Sequence, residues 1–151
     1  MSNRTESNGT ESNRTESNRE IVEAAFARWT AGAAYISDLF APAMTWEIVG
    51  RSAASRKYTG AASFITDVLE PFGRRFRHDA PFRPVRIRSV LADGDTVVIV
   101  WDGVGTTVAD TRYENTYAWF LRLEDGRIVD GVAFYDSIAF NELWNGGVSP
   151  A

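Results

Sequence analysis

Carboxylates set beside large apolar side chains are the first candidates for chemistry in this chain. Glu47 stands between Trp46 and Ile48 in "MTWEIVG". A carboxyl deprived of water by such neighbours is raised toward neutrality, where it works as a general base. The opposite reading is a solvent-facing Glu47 on a strand whose Trp46 points inward, since adjacent strand residues face opposite sides unless a bulge intervenes. Asp136 closes "AFYD" directly ahead of "SIAFNELW". An Asp there caps the backbone N–H groups of a following helix, and proton transfer is the second role open to it. Asn115 lies in "RYENTYAWFLRL", where a period of two gathers Tyr113, Asn115, Tyr117, Trp119, Leu121 and Leu123 on one face. A lone amide among rings is either bonded to backbone or placed to hold a substrate oxygen.

Other chemistries lack their residues. The 151 residues include no cysteine and a single histidine, His78, so thiolate nucleophiles, disulfides and clustered metal ligands are not expected. "DGVGTT" has glycines but neither the Lys nor the following helix of a phosphate loop. No cofactor is expected. A net charge of −4 argues against nucleic acid as a partner. No apolar run approaches the ~20 residues of a membrane span, so no membrane partner and a cytoplasmic location are expected. Arg74, Arg75, Arg77, Arg83, Arg86 and Arg88 form the one basic concentration. They belong either to a solvated loop and an outward strand face or to the mouth of a site that attracts a carboxylate or phosphate.

The elements that must position these residues read in order. Residues 2–20 read as a polar repeat (SNRTE, SNGTE, SNRTE, SNRE) with no apolar residue to dock, which predicts a mobile arm over 1–19. Its Asn-x-Thr patterns at Asn3, Asn8 and Asn13 match glycosylation acceptors but lack a secretory route. Residues 20–145 form a single domain and 146–151 a tail. The Ser17 to Glu20 spacing is a capping box, and Ile21, Ala25, Phe26 and Trp29 share the face of a first helix over 18–31. A short helix over 35–40 stops at Pro42, "MTWEIV" is a strand, and "TGAASFITDVLEPF" is a third helix closed by Pro71 with Phe64, Val68 and Leu69 inward. From residue 82 the period changes to two. Strands with Val85 and Ile87 opposite Arg86 and Arg88, then "TVVIVWDGVGTTV", the Asn115 segment and "RIVDGVAFYD" follow one another through "ADGD" and "EDGR" turns. A last helical turn runs through Phe140, Leu143 and Trp144.

Helices first and strands after is the order of an α+β fold, here a curved antiparallel sheet wrapped around N-terminal helices. Phe26, Trp29, Trp46, Ile99, Trp101, Asn115, Tyr117, Trp119, Ala133 and Tyr135 then face one interior. Small residues at Gly131 and Ala133 leave volume between the rings. Such walls suit a small, planar, largely apolar ligand whose oxygens meet Asn115, the tyrosines or indole N–H groups. A filled core built from the same residues is the alternative.

The joint order of "RWTAG", "DLFAPAMTWEIVG", "YTGAASFI", "ADGDTVVIVWDG" and "YENTYAWFLRLEDGRIVDGVAFYD" resembles the SnoaL-like polyketide cyclase and ketosteroid isomerase-like family. The resemblance spans residues 20–140 and implies the cone of nuclear transport factor 2, a cystatin-like fold with an internal pocket. It also implies a homodimer through the outer sheet face. Members isomerise steroids, cyclise polyketides, open epoxides or only bind other proteins, so the site residues decide. The isomerases' base, three residues before a Gly, falls on Glu47 ahead of Gly50. Their oxyanion Tyr and protonated Asp correspond to Phe26 and Trp119, which removes steroid isomerisation. The epoxide-opening triad falls on Asp102, Val100 and Ala133 and is absent. Cyclases use an Asp near the cavity mouth, which keeps Asp136 open. Two functions stand side by side: a cofactor-free cyclase or isomerase moving a proton next to a carbonyl, and a non-catalytic ligand-binding or dimerisation module.

Overall fold

The computed structural model describes residues 2–146. Four long strands, β3 (Arg83–Asp93), β4 (Thr96–Thr106), β5 (Arg112–Glu124) and β6 (Arg127–Tyr135), follow one another as antiparallel neighbours. The β5–β6 turn places both Asp125 and Gly126 at positive φ, the twist that matches a tight hairpin. β1 (Phe40–Ile48) lies on the far side of β6 and runs parallel to it, and the short β2 (Lys57–Thr59) pairs with β1. The sheet order is therefore β2-β1-β6-β5-β4-β3. The expected antiparallel sheet thus contains one parallel pair, and β2, only three residues long, carries too short a pattern to read in advance.

Alternation holds along β5 from Tyr113 to Leu123, whose odd-numbered residues are all buried. It fails in β3. Val85 and Ile87 are 58% and 42% exposed, because irregularities between Pro84 and Arg86 and between Ile87 and Ser89 break the inward face expected for them.

Helix α1 (Ser2–Thr30) buries Val22, Ala25, Phe26 and Trp29 at helical spacing and packs on β3 and β4. It is already formed at Ser2, the first described residue, so the capping box at Ser17 is not used and the described part of the expected arm is helical. The last turns of the repeat dock through polar atoms where apolar ones are missing. Asn18 is buried and its Nδ2 donates to the Gly94 carbonyl at 3.1 Å, while the Gly94 N–H donates to Thr15 Oγ1 at 2.8 Å. Arg14 pairs with Asp95 at 2.9 Å, and Arg19 donates to the Val90 carbonyl at 3.1 Å. The β3–β4 turn is held by this end of the helix.

The expected helix over 35–40 is a single 3₁₀ turn, Ile36–Leu39, and β1 starts at Phe40, with Pro42 in its irregular and exposed first half. The next helical run comprises α2 (Ala61–Phe64), a π turn (Ile65–Leu69) and α3 (Glu70–Arg74). Pro71 does not close it. It stands in the first turn of α3, where a missing N–H is tolerated. α4 (Ser137–Gly146) buries Phe140 and Leu143, and the rest of the expected tail lies outside the described residues.

Candidate functional site

A cavity of about 1230 Å³ opens between the concave face of the sheet and the α2–α3 run. Its sheet wall is aromatic. Trp101 of β4 stacks on Tyr117 of β5 with centroids 4.5 Å apart and planes 14° apart. Trp119 meets the edges of Trp101 and Trp46 at 5.0 Å each, and Trp46 in turn stacks on Phe64 of α2 at 4.9 Å. Two glycines permit this arrangement. A Cβ on Gly131 would lie 2.3 Å from the Trp46 ring and one on Gly103 would lie 2.1 Å from Phe82, so both rings rest directly on backbone.

Seven of the expected residues, Trp29, Trp46, Trp101, Tyr117, Trp119, Ala133 and Tyr135, line this one cavity. The other expected ligand contacts and both carboxylates do not. Phe26 and Ile99 are fully buried between α1 and the sheet, on no part of the cavity wall. Glu47 pairs in regular register with Lys57 and Val132, with no irregularity between Thr45 and Ile48. Alternation then sends Trp46 and Ile48 to the wall and Glu47 to the opposite face, which corrects its expected place. Asp136 is exposed, and its Oδ1 accepts from the Ile138 N–H at 3.0 Å, so it caps α4.

Asn115 faces inward as its register requires, but its amide is committed. Nδ2 donates to the Tyr113 hydroxyl at 2.8 Å and to the Asp136 carbonyl at 3.0 Å, and Oδ1 accepts from the Thr116 N–H at 2.8 Å. The amide ties β5 to the start of α4 and does not reach the cavity wall. Asp102, the one acidic member of an absent triad that is present, sits on the outer sheet face between Arg88 at 2.8 Å and Thr116 at 2.7 Å. The Arg88 guanidinium holds its carboxyl below the usual range.

The helical wall was underread in the sequence. Val68, Leu69, Phe72 and Phe76 join Phe64 around the cavity. The four-residue steps 64, 68 and 72 are the signal that the helical face continues past Pro71, while Phe76 follows α3 in a bridge to Thr107. The rim carries charge. Arg77 bridges Asp79 at 2.8 Å and Asp110 at 2.7 Å, with Arg74, His78 and Arg83 nearby on the lining. Of the other expected arginines, Arg75 lies over Trp144 at 4.1 Å, while Arg86 and Arg88 are exposed on β3 away from the lining.

Deep in the cavity the polar groups are neutral. The lining carboxylates Glu70, Asp79 and Asp110 are all exposed at the rim. Burial pushes the Tyr117 hydroxyl well above its ordinary 10.0, and burial raises Tyr113 and Tyr135 too, so these phenols keep their protons at neutral pH. The indole N–H groups of Trp46 and Trp101 are buried with no hydrogen-bond partner among the described residues. Among those residues no cluster of three or more His, Asp or Glu could hold a metal ion, and no helix is long and apolar enough to cross a membrane.

A six-stranded curved sheet closed on one side by helices is the nuclear transport factor 2-like, cystatin-like cone, and solved structures of that class superpose on it. Bal32a, from a soil-derived mobile gene cassette, is 21% identical over 87% of this chain and 98% of its own, with a TM-score of 0.67. A nuclear transport factor 2-like protein from Burkholderia thailandensis E264 is 21% identical over 88% and 98%, with a TM-score of 0.61. TerC, co-crystallised with polyporic acid, is 20% identical over 85% and 98%, with a TM-score of 0.65. At these identities the likeness is one of fold. The model of the SnoaL-like domain matches residues 22–131, and the chain belongs to that family. No curated protein matches the sequence.

Proposed function

We propose that this domain binds a small, planar, largely apolar molecule carrying oxygen acceptors in its conical cavity. One observation carries the reading: the cavity is walled by rings, among them Trp29, Tyr117, Trp119 and Tyr135, and its lining carboxylates are exposed at the rim. A flat apolar skeleton stacks on such rings while polar lining groups meet its oxygens. Proton transfer by Glu47 or Asp136 has lost its geometric support, since neither reaches the wall. A ring-lined cavity with its carboxylates at the rim favours binding.

The test is a titration of the protein with aromatic polyketones, including the polyporic acid found with TerC, followed by tryptophan fluorescence. Four of the five tryptophans line the cavity, so saturable quenching is expected. Trp119→Phe should weaken binding several-fold, as the loss of part of one aromatic contact does. Glu47→Gln and Asp136→Asn should leave it unchanged. Absence of quenching across the panel would end this reading.

The outer sheet face supports a second copy of the chain as partner. Phe120 and Phe134 are 46% and 53% exposed, and they sit in register with Val132 and Ala118, which makes one continuous apolar patch. We expect a dimer in sedimentation equilibrium that Phe134→Glu dissociates. A wild-type monomer at tens of micromolar would exclude this interface.

A further inference from the structure

At the cavity mouth one guanidinium is held in place without an anion. Arg83 opens β3 and lines the cavity. Its guanidinium lies on the backbone of Gly32, where an added Cβ would meet Nη2 at 2.7 Å and Cζ at 2.9 Å, so only a glycine lets it come so close. Gly32 stands at φ +76°, two residues past the end of α1. The negative end of that helix dipole therefore lies against the cation, and an attraction of this kind fixes a charge without using its hydrogens.

Those hydrogens are unclaimed. Among the described residues the Arg83 guanidinium makes no ion pair and no hydrogen bond. The helix end closes on itself instead, with the Gly32 and Ala33 N–H groups donating to the Trp29 and Arg28 carbonyls at 2.9 Å each. Of the three lining carboxylates, Asp79 and Asp110 are both taken by Arg77, at 2.8 and 2.7 Å, and Glu70 pairs with neither Arg74 nor Arg83. The side-chain donors that lack a partner and are sealed off among the described residues are the Trp46 and Trp101 N–H groups alone. The half-buried Arg83 is therefore open to a bound molecule, and the exposed Arg74 beside it on the lining is unpaired as well.

We infer that the ligand carries a carboxylate, that Arg83 receives it at the cavity mouth with Arg74 adding to the field, and that the apolar skeleton behind it lies against the rings. The planar guanidinium fork matches the two oxygens of a carboxylate. Two unpaired arginines against one unpaired Glu also make the mouth locally positive in a chain of net charge −4, and such a reversal draws an anion inward. The inference rests on the cavity reading proposed above and adds to it a charge, an entry point and an orientation.

Equilibrium dialysis at neutral pH against 2-naphthoate and its neutral counterpart of the same shape, 2-naphthamide, separates the two ideas. The wild-type chain is expected to prefer the carboxylate about tenfold, the lower end for a charge-assisted pair because the guanidinium is half exposed, and added salt should shrink that preference. Arg83→Gln should remove most of it while leaving naphthamide affinity unchanged. Arg83→Lys, which keeps the charge but loses the fork, should retain part. Arg86→Gln deletes the same charge from an exposed position off the lining and should leave the preference intact. The ratio of the two affinities is insensitive to a general loss of packing, because both probes fill the same space. Equal binding of the two probes by the wild type, a wild-type preference in Arg83→Gln, or an equal loss in Arg86→Gln would overturn the carboxylate assignment and leave the cavity reading standing. Binding of neither probe to the wild-type chain would overturn both.

Discussion

Gly131→Ala is expected to destabilise the domain by about 3 kcal/mol, the upper end of what overpacking costs, and to lower the midpoint of urea denaturation without changing its slope. One added carbon has this effect because of where Trp46 lies. The new Cβ would sit 2.3 and 2.4 Å from two ring carbons, well inside contact distance. The ring has nowhere to go, since Phe64 stacks on it, Trp119 presses its edge at 5.0 Å and Phe40 lies 5.8 Å away. Moving Trp46 also moves part of the cavity wall, so ligand quenching should fall together with stability. An unshifted midpoint would show that the ring has room the packing denies it.

The second large effect is at Trp101, which is fully buried and touches Phe26, Trp29, Phe82, Tyr117 and Trp119. Trp101→Ala should cost about 3–5 kcal/mol, as deletion of a core ring does, against a total stability on the order of 5–15 kcal/mol for a domain. Trp101→Phe provides the contrast. It keeps a ring and removes an N–H that has no partner, so relief of the buried donor offsets much of the lost volume. We expect its unliganded stability within about 1 kcal/mol of wild type. If Trp101→Phe proved as destabilising as Trp101→Ala, the N–H would have to be satisfied in the free protein.

Period-two patterns were legible because one buried face enforces them. Along β5 every inward residue from Tyr113 to Leu123 could be named from the sequence, and the wall rings Trp101, Tyr117, Trp119 and Tyr135 followed from that register. Glu47 was legible only as a pair of alternatives. Its spacing before Gly50 fits a base, and only the regular β1–β6 register decides that Trp46 and not Glu47 faces the cavity. Asn115 was read in its true orientation with two roles open, because a sequence does not show that Tyr113 and the Asp136 carbonyl already hold the amide. The docking of the polar repeat's last turns was not legible for a related reason. Hydrophobic pattern predicts docking through apolar area, and Thr15 and Asn18 dock through hydrogen bonds to one backbone turn. Pro71 misled in the opposite direction. It reads as a terminator unless the first-turn position that tolerates it is foreseen.

The parallel seam between β1 and β6 has a consequence for how the chain reaches its fold. Thr45 donates to Asp130 across this seam, 85 residues apart in sequence, and the seam lies inside the sheet, with β2 and β1 on one side and β6, β5, β4 and β3 on the other. The four later strands can assemble from local hairpins, but β1 has no long partner until residues 127–135 exist. A nascent chain therefore holds Trp46 and its apolar neighbours against only the three-residue β2 through most of synthesis, and closing that loop is the slow step expected of non-local pairing.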